Sequence, residues 1–332
     1  VRRMSIVFGG DVMQHLPQVQ AAKRDSTYDY TETFRYIRPF IDSADIVVFN
    51  FETTVSANGR YSGYPMFSSP PQLMSALAAN GVDVVALANN HTADRGYKGV
   101  KATVDAAIEY GLKYTGAFAD STGYAENSPL ILESGGIKMA LLNYTYGLNG
   151  LPVPKGGIIN LIDTTIIARD IEKARADSVD IITVFYHWGQ EYQRRPNREQ
   201  RELAQWTHEK GVQLVVGSHP HVLQPIEAAA DSITVYSLGN LVSNQRQRYT
   251  DGGMMVRFDI ELRDSLPHVI DVSYLLTWVD VVTEEGLTHY RILPSVVADT
   301  MLAARPQAEA AYKRFADDSR RLLGVDTTAT WL

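Results

Sequence analysis

Short runs of apolar, β-branched residues recur along the chain, and turn residues bound each of them. Five of these runs read MSIVFGG, ADIVVFN, VDVVALA, DIITVFY and VQLVVGS, beginning at Met4, Ala44, Val82, Asp180 and Val212. Their apolar positions are continuous rather than alternating, which is typical of strands covered on both faces. The pattern therefore predicts buried strands that lie between other layers of structure.

Amphipathic segments with helical spacing separate these runs. The clearest cover residues 69–81, 97–111 and 197–211. The first has prolines at its start and Gly81 at its end, and the third opens on Asn197, a favourable N-cap residue. Strand, helix and strand in alternation predict an α/β layered fold.

Two regions depart from this alternation. Residues 128–147 read as an antiparallel hairpin around Ser134-Gly135-Gly136, and residues 232–293 read as strands and turns. A final helix is expected over residues 301–323, interrupted early by Pro306. We therefore expect one domain over residues 1–300, followed by a helical extension over residues 301–332.

Composition narrows the class of protein. The 332 residues are 45% hydrophobic and 21% charged, the balance of a globular protein with a full core. The net charge of −7 and the scattered basic residues argue against a nucleic-acid partner. No apolar run approaches the roughly 20 residues that span a bilayer. Because the sequence begins at Val1 rather than Met, a targeting segment could have been removed.

The polar residues that follow the apolar runs are the most informative feature. In chain order they are Asp11, Asn50, Glu52, Asn89, Asn90, His91, Asp94, His187, His219 and His221. Ligands of layered α/β folds bind beyond the carboxyl ends of the strands, so neighbouring strands would bring these side chains to one site. Imidazole, carboxylate and amide ligands suit divalent zinc, manganese, iron or nickel.

The segment GSHPHV is the strongest single signal for a metal. On an extended segment, side chains two residues apart point to the same side, so His219 and His221 are expected to serve one ion or two adjacent ions. Pro220 between them would stiffen this arrangement. Taken singly, each feature has an ordinary explanation: His187 as a loop residue, ANNH as a turn, Asp11 as a helix cap. Five such features in order at strand ends are hard to explain as turns.

The ordered segments GGDVM, NFETT, ANNHTADRG, YHWGQEY, GSHPHVLQP and YSLGN resemble the CapA family, the poly-γ-glutamate capsule biosynthesis proteins also called PgsA. The resemblance covers roughly residues 4–253. These proteins are relatives of the calcineurin-like metallophosphoesterases. The resemblance implies a four-layer α/β sandwich of two mixed β-sheets flanked by helices, with a β-rich C-terminal segment and a metal site at one edge of the sheets.

The resemblance also implies roles for individual residues. The metal ligands would be Asp11, Glu52, Asn90, His187, His219 and His221. Glu52 takes the bridging position between two ions, and the two histidines of GSHPHV serve one ion each. His91 would be the acid that faces the substrate, steadied by Asp94.

Two positions depart from the metallophosphoesterase pattern. The pattern begins Asp-x-His, whereas this chain has Asp11-Val12-Met13, and a thioether is a poor ligand for a hard ion. The bridging residue is Glu52 rather than an aspartate. We therefore expect one well-held divalent ion, zinc, manganese or iron, and a second that is weak or absent.

Four further residues are candidates without a role in the parent pattern. Glu191, four residues after His187, is a candidate general base, orienting residue or ion-pair partner. Arg195 and Arg246 could bind the carboxylates of an acidic polymer. It is equally compatible with the sequence that both are ordinary solvated charges on the surface. Asn240 in SLGN could line the same rim or form a structural turn.

Three functions are compatible with these features. The first is a metal-dependent hydrolase or transferase of capsule synthesis that acts on an acidic envelope polymer, such as poly-γ-glutamate, or its precursor. The second is a dinuclear phosphoesterase, and the third is a noncatalytic accessory of a membrane-bound capsule synthase. The first and third functions place the protein at the cell envelope, and we expect it outside the cytoplasm.

Overall fold

The computed structural model describes residues 2–229 and 232–324. Its strands are β1 Arg2–Val12, β2 Lys23–Arg24, β3 Thr27–Tyr28, β4 Ile46–Phe51, β5 Val84–Ala86, β6 Lys113–Thr115, β7 Ala117–Phe118, β8 Leu130–Ser134, β9 Ile137–Thr145, β10 Ile158–Ile159, β11 Ile181–His187, β12 Leu214–Ser218, β13 Ile226–Ala229, β14 Ser232–Val235, β15 Asn240–Val242, β16 Gly252–Arg263, β17 Leu266–Glu284 and β18 Leu287–Pro294. The helices are α1 Leu16–Ala22, α2 Thr31–Phe34, α3 Arg38–Ile41, α4 Gln72–Ala79, α5 Gly96–Glu109, α6 Ser121–Asn127, α7 Thr164–Ala176, α8 Arg198–Glu209, α9 Ser295–Met301 and α10 Pro306–Leu323.

Two mixed sheets form the centre of the molecule. The first has the order β18-β17-β16-β1-β4-β5-β6, with β15 also paired to β1. Its strands β1, β4, β5 and β6 run parallel, whereas β16 to β18 are antiparallel. The second has the order β13-β14-β12-β11-β9-β8, with β9, β11, β12 and β14 parallel. The predicted mixed sheets are thus present.

The two sheets pack face to face through a common apolar core. Phe8 of the first sheet lies edge-on to Phe185 of the second, with ring centroids 5.7 Å apart. Both rings are fully buried in one cluster that also contains Val48 and Val216. Alternate residues of each parallel strand therefore face this inner core, as the pleat requires.

Helices cover the outer face of each sheet. On the first sheet, Phe49 packs in a cluster with Leu77 of α4 and Val104 of α5. On the second, Val184 packs with Ile171 of α7, and Ala204 of α8 lies in the same cluster. The architecture is therefore helices, sheet, sheet, helices, as predicted. It explains the continuous apolar runs, because both faces of each parallel strand are buried.

Local sequence signals account for several elements. Gly135 and Gly136, at φ 57° and 75°, turn β8 into β9, and only glycine adopts this conformation without strain. Asn197 caps α8, where its side chain accepts a hydrogen bond from the Gln200 N–H and Gln200 reaches back to the Asn197 N–H. The hairpin and this cap are confirmed.

The C-terminal part agrees in outline with its prediction. Residues 232–293 form β14 to β18. The final helix, expected over residues 301–323, is α10 and begins only at Pro306, whereas α9 ends as the predicted range begins. Tyr312 and Phe315 of α10 are buried in the core between the sheets. The division into a domain and an extension stays a prediction, and residues 325–332 of that extension lie outside the described residues. No helix within the described ranges is long and apolar enough to cross a membrane.

Candidate metal centre

The carboxyl ends of the central strands in both sheets meet at one edge. Asp11 lies near the end of β1, Glu52 directly follows β4, and His187 ends β11. Asn90 lies beyond β5, and His219 directly follows β12. Together with His221 these side chains form a buried group, here called the histidine–carboxylate cluster. All six are at most 3% exposed.

Glu52 lies at the centre of the cluster. Its Oε1 is 3.6 Å from Nε2 of His187 and 3.8 Å from Nε2 of His221. That oxygen has no hydrogen-bond partner among the described residues. Burial, together with the nearby charge of Asp11, raises the pKa of the Glu52 carboxyl well above its usual value. This buried oxygen is therefore left without a hydrogen-bond donor among the described residues.

The side chain of Asp11 contacts both a residue of the first sheet and a histidine of the GSHPHV turn. Its Oδ1 accepts a hydrogen bond from the Asn50 amide at 2.8 Å, and its Oδ2 is 3.1 Å from Nδ1 of His221. Asn240, whose Cα is paired with that of Asp11 across β1 and β15, has Oδ1 3.0 Å from the same ring nitrogen. Burial, the largest single influence, lowers the pKa of His221, but the hydrogen bond and charge of Asp11, the charge of Glu191 and the hydrogen bond to Asn240 together raise that pKa above its usual value.

His187 and Asn90 form another part of the cluster and contact each other. The Oδ1 of Asn90 is 2.9 Å from Nε2 of His187, and the hydroxyl of Ser218 is 3.0 Å from Nδ1. Burial, followed by the neighbouring His219 and His221, holds the pKa of His187 well below its usual value. The imidazole is therefore neutral at physiological pH, which is the form that binds metals.

His219 contributes a ring nitrogen that could bind a metal. Its Nδ1 is buried and has no hydrogen-bond partner among the described residues. Burial, with the nearby His221, lowers its pKa to about 3. The ring lies 4.8 Å from that of His187 and 4.5 Å from that of Tyr146, measured between centroids.

The expected extended geometry of His219 and His221 is wrong. Their φ angles are 101° and 58°, so the segment is a tight bend rather than a continuation of β12. Non-glycine residues in this region carry strain of the order of 1–3 kcal/mol each. Pro220 lies between them, and its ring fixes its own φ at a negative value. The two positive φ angles of the bend therefore belong to the histidines. The bend nevertheless brings both imidazoles into the cluster.

His91 and Asp94 form a separate pair beside the cluster. Asp94 Oδ2 is 2.8 Å from Nδ1 of His91 and also accepts the backbone N–H of Phe67 at 2.7 Å. The Phe67 ring lies edge-on to His91, with centroids 4.6 Å apart. The carboxylate therefore fixes the orientation of the imidazole.

The structure gives different environments to the four other candidates. Glu191 is exposed, and one of its carboxylate oxygens lies within 4.8 Å of ring nitrogens of His219 and His221. Asn240 is fully buried behind His221. Arg246 donates to the Val279 carbonyl at 2.9 Å, and Arg195 is exposed. Within the described ranges, neither arginine has a hydrogen bond or ion pair to the cluster.

Three further residues belong to the site and were not assigned a role from the sequence. The Asn50 amide lies 2.8 Å from Asp11 and 3.4 Å from both Glu52 Oε2 and His187 Nδ1. Burial, with smaller contributions from the charges of His221 and His91, lowers the pKa of His15 to about 4. Tyr146 directly follows β9, so the strand-end rule would have found it; His15 precedes α1 and carries no such signal.

The residues present fit a divalent cation. Three groups each place three ligand atoms within 4.8 Å of one another: Glu52, His187 and His219; Asp11, Glu52 and His221; and Glu191, His219 and His221. An unpartnered carboxylate oxygen and an unpartnered imidazole nitrogen are both buried there. Buried polar groups without partners are rare in native proteins, and a bound cation would satisfy both.

The fold and this cluster define a layered α/β protein with a candidate metal centre at one edge of its two sheets. Residues 5–245 match the family model described as bacterial capsule synthesis protein PGA_cap. Because the match covers most of the chain, the protein belongs to this family.

Two curated relatives carry names of the same kind. The chain is 28% identical over 282 residues to the capsule biosynthesis protein CapA of Bacillus anthracis, covering 81% of this chain and 66% of the relative. It is 30% identical over 266 residues to the PGA biosynthesis protein CapA of Bacillus subtilis, covering 78% and 68%. The chain thus spans about two thirds of the length of these relatives.

Solved structures show likeness in fold. The NAD nucleotidase of Haemophilus influenzae superimposes with a TM-score of 0.50 and 9% identity, covering 96% of this chain and 60% of that one. The calcineurin-like phosphoesterase YfkN from Bacillus subtilis gives a TM-score of 0.48 and 14% identity, covering 96% and 98%. At these identities the likeness concerns the fold alone.

Proposed function

We propose that this protein is a divalent-metal-dependent hydrolase or transferase of capsule synthesis. Its substrate would be an acidic envelope polymer of the poly-γ-glutamate type, or a precursor of that polymer. The observation that carries the proposal is the buried, unpartnered Oε1 of Glu52, which lies 3.6 Å from the neutral imidazole of His187. Family membership supports the polymer as the substrate class.

The ion would be zinc, manganese or iron, and Glu52, Asn90, His187 and His219 would hold it. Such an ion supplies Lewis acidity for attack at an acyl or phosphoryl group. Imidazole and carboxylate ligands are compatible with all three metals. The neutral state of His187 and His219 means that no proton must leave either ring before it binds.

His91 would act as the general acid. Asp94 holds Nδ1 of the imidazole at 2.8 Å, so the other ring nitrogen is the one that can deliver a proton to a leaving group. Phe67 packs against the ring and keeps it in this orientation. The pair needs no metal contact for this role, so its loss should affect turnover and leave metal binding unchanged.

The same proposal places the protein at the cell envelope, beside a membrane-bound capsule synthase. At the envelope the protein would encounter an acidic polymer that is made for the cell surface. Arg195 is exposed and would bind the carboxylates of that polymer. Arg246 is less suited to this role, because its guanidinium lies 5.5 Å from the Trp278 ring centroid and donates to the Val279 carbonyl.

The test is turnover by the metal-loaded protein, with poly-γ-glutamate of defined length and with a simple phosphodiester. We expect shortening of the polymer, and His91→Gln should slow it about 100-fold or more without changing metal content. His268→Gln is the control, since His268 lies on β17 near the start of β1, at the opposite end of the sheet.

The other outcomes separate the alternatives. Turnover of the phosphodiester alone would favour the dinuclear phosphoesterase. Polymer binding without turnover, unaffected by His91→Gln, would favour the noncatalytic accessory, and either result would contradict the proposal.

A further inference from the structure

His15 lies beside the histidine–carboxylate cluster, directly before α1, and has no part in the metal or acid chemistry described above. Besides burial, the charges of His221 and His91 lower its pKa, so both of those imidazoles lie near it. The Phe67 ring contacts His15 and His91 edge-on, with centroids 5.2 Å and 4.6 Å away. His15 is therefore a neighbour of the proposed general acid, on the same side of the site.

A backbone hydrogen bond decides which nitrogen of His15 carries the proton. The Asn244 N–H donates to Nδ1 of His15 at 3.2 Å. Oε1 of Gln18 is also 3.2 Å from Nδ1, but a backbone N–H can only donate, so Nδ1 must be the acceptor. Burial lowers the pKa of His15 to about 4, and the ring is therefore neutral at physiological pH. In this neutral ring the proton lies on Nε2.

The Nε2–H of His15 is an available hydrogen-bond donor. Within the described ranges, both polar contacts of the ring are made by Nδ1, and none is made by Nε2. The residue is partly exposed, and Nε2 is not one of the buried atoms that lack a partner. An accessible N–H whose ring is fixed through its other nitrogen can donate to a bound molecule.

The surrounding chain holds His15 in one position. Its backbone N–H donates to Oε1 of Gln18 at 2.9 Å, which fixes the first turn of α1. Gly63 approaches so closely that a Cβ there would lie 3.3 Å from Cα of His15. Phe67, which packs on the ring, is itself held by the hydrogen bond from its N–H to Asp94 at 2.7 Å. The donor is therefore placed before any substrate binds, and its ordering costs little on binding.

We propose that His15 binds the substrate, through a hydrogen bond from its Nε2–H to an oxygen of the acidic polymer beside the bond that is cleaved. Poly-γ-glutamate offers carboxylate and amide oxygens, and both accept such a bond. The inference rests on the proposed function, because it takes the substrate and the role of His91 from it. His15 would hold the polymer next to the imidazole that delivers the proton.

Two amide variants separate this role from a structural one. In His15→Asn, the short side chain can place Oδ1 near the position of Nδ1 and still accept the Asn244 N–H, but no donor reaches the position of Nε2. In His15→Gln, the longer side chain can place an N–H donor near the position of Nε2, and the acceptor for Asn244 is lost. Asparagine is also a favourable residue before a helix, so α1 should form in His15→Asn.

The experiment uses the metal-loaded protein and γ-glutamate oligomers of defined length. We expect His15→Asn to raise KM about 10-fold or more with kcat within about 3-fold of the wild type, because a hydrogen bond to the bound substrate is lost. His15→Gln should keep KM within about 3-fold of the wild type. Metal content should be unchanged in both variants, and His268→Gln should change neither KM nor kcat.

Calorimetric titration of the same oligomers gives a readout that does not depend on turnover. It is carried out with His91→Gln, in which cleavage is slow, and adding His15→Asn to this variant should raise the dissociation constant about 10-fold or more. Unchanged binding and KM in His15→Asn, or a loss in His15→Gln that equals or exceeds it, would overturn the assignment of His15 while the proposed function stands. Loss of metal from either variant would also overturn it. A wild-type protein that neither cleaves nor binds the oligomers would overturn the proposed function together with this inference.

Discussion

Glu52→Gln is expected to abolish most metal binding and, at the same time, to stabilise the metal-free protein. Glu52 belongs to two of the three ligand groups, so losing its charge should weaken metal binding by about 100-fold or more. Without metal, the carboxylate is buried beside Asp11 with an unpartnered oxygen. The neutral amide removes this repulsion, and we expect a gain of about 1–3 kcal/mol in the free energy of unfolding.

Metal titration and chemical unfolding of the metal-free form measure the two effects. Glu133→Gln is the matched control and should change neither quantity, because its carboxylate is exposed at a sheet edge. Loss of metal binding accompanied by lower stability of the metal-free form would indicate that Glu52 is a structural residue, and the account of the cluster would be wrong.

Phe8→Ala is expected to lower the free energy of unfolding by about 3–5 kcal/mol, the usual range for truncating a buried aromatic side chain. Phe8 is fully buried, and its ring contacts Phe185 at 5.7 Å and Phe258 at 6.0 Å between centroids. The cavity would open between the two sheets, where neither sheet can move without disturbing the other. Urea unfolding with an unchanged m-value measures the effect.

Tyr64→Ala supplies the comparison for this prediction. Tyr64 is 77% exposed, so its truncation should change stability by less than about 0.5 kcal/mol. A loss below about 1 kcal/mol for Phe8→Ala would mean that the sheets do not depend on this contact, contrary to the packing described here.

The sequence predicted the layers because the parallel strands are apolar on both faces. The same rule located the cluster, since Asp11, Glu52 and His187 each follow or end a buried strand. Helices α1 to α3 were missed, as they span seven residues or fewer and leave no periodic signal. Local sequence patterns cannot reveal helices this short, because tertiary packing decides whether such segments become helical.

The parts of the site that sequence could not supply depend on long-range geometry. The partner of His221 on β15, Asn240, is brought beside Asp11 only by the pairing of β15 with β1. The bend at His219 and His221 follows from the end of β12 and the fixed proline between them. Arg246 stays a predicted polymer-binding residue, and its position against Trp278 depends on strands far away in the sequence, which local patterns do not show.

The most direct test of the central claim is the metal content of the purified chain, measured beside the double variant His187→Ala, His219→Ala. The account predicts at least one transition-metal ion per wild-type chain and at least one fewer in the double variant. A wild-type chain that holds no metal, even after incubation with zinc and manganese, would contradict it.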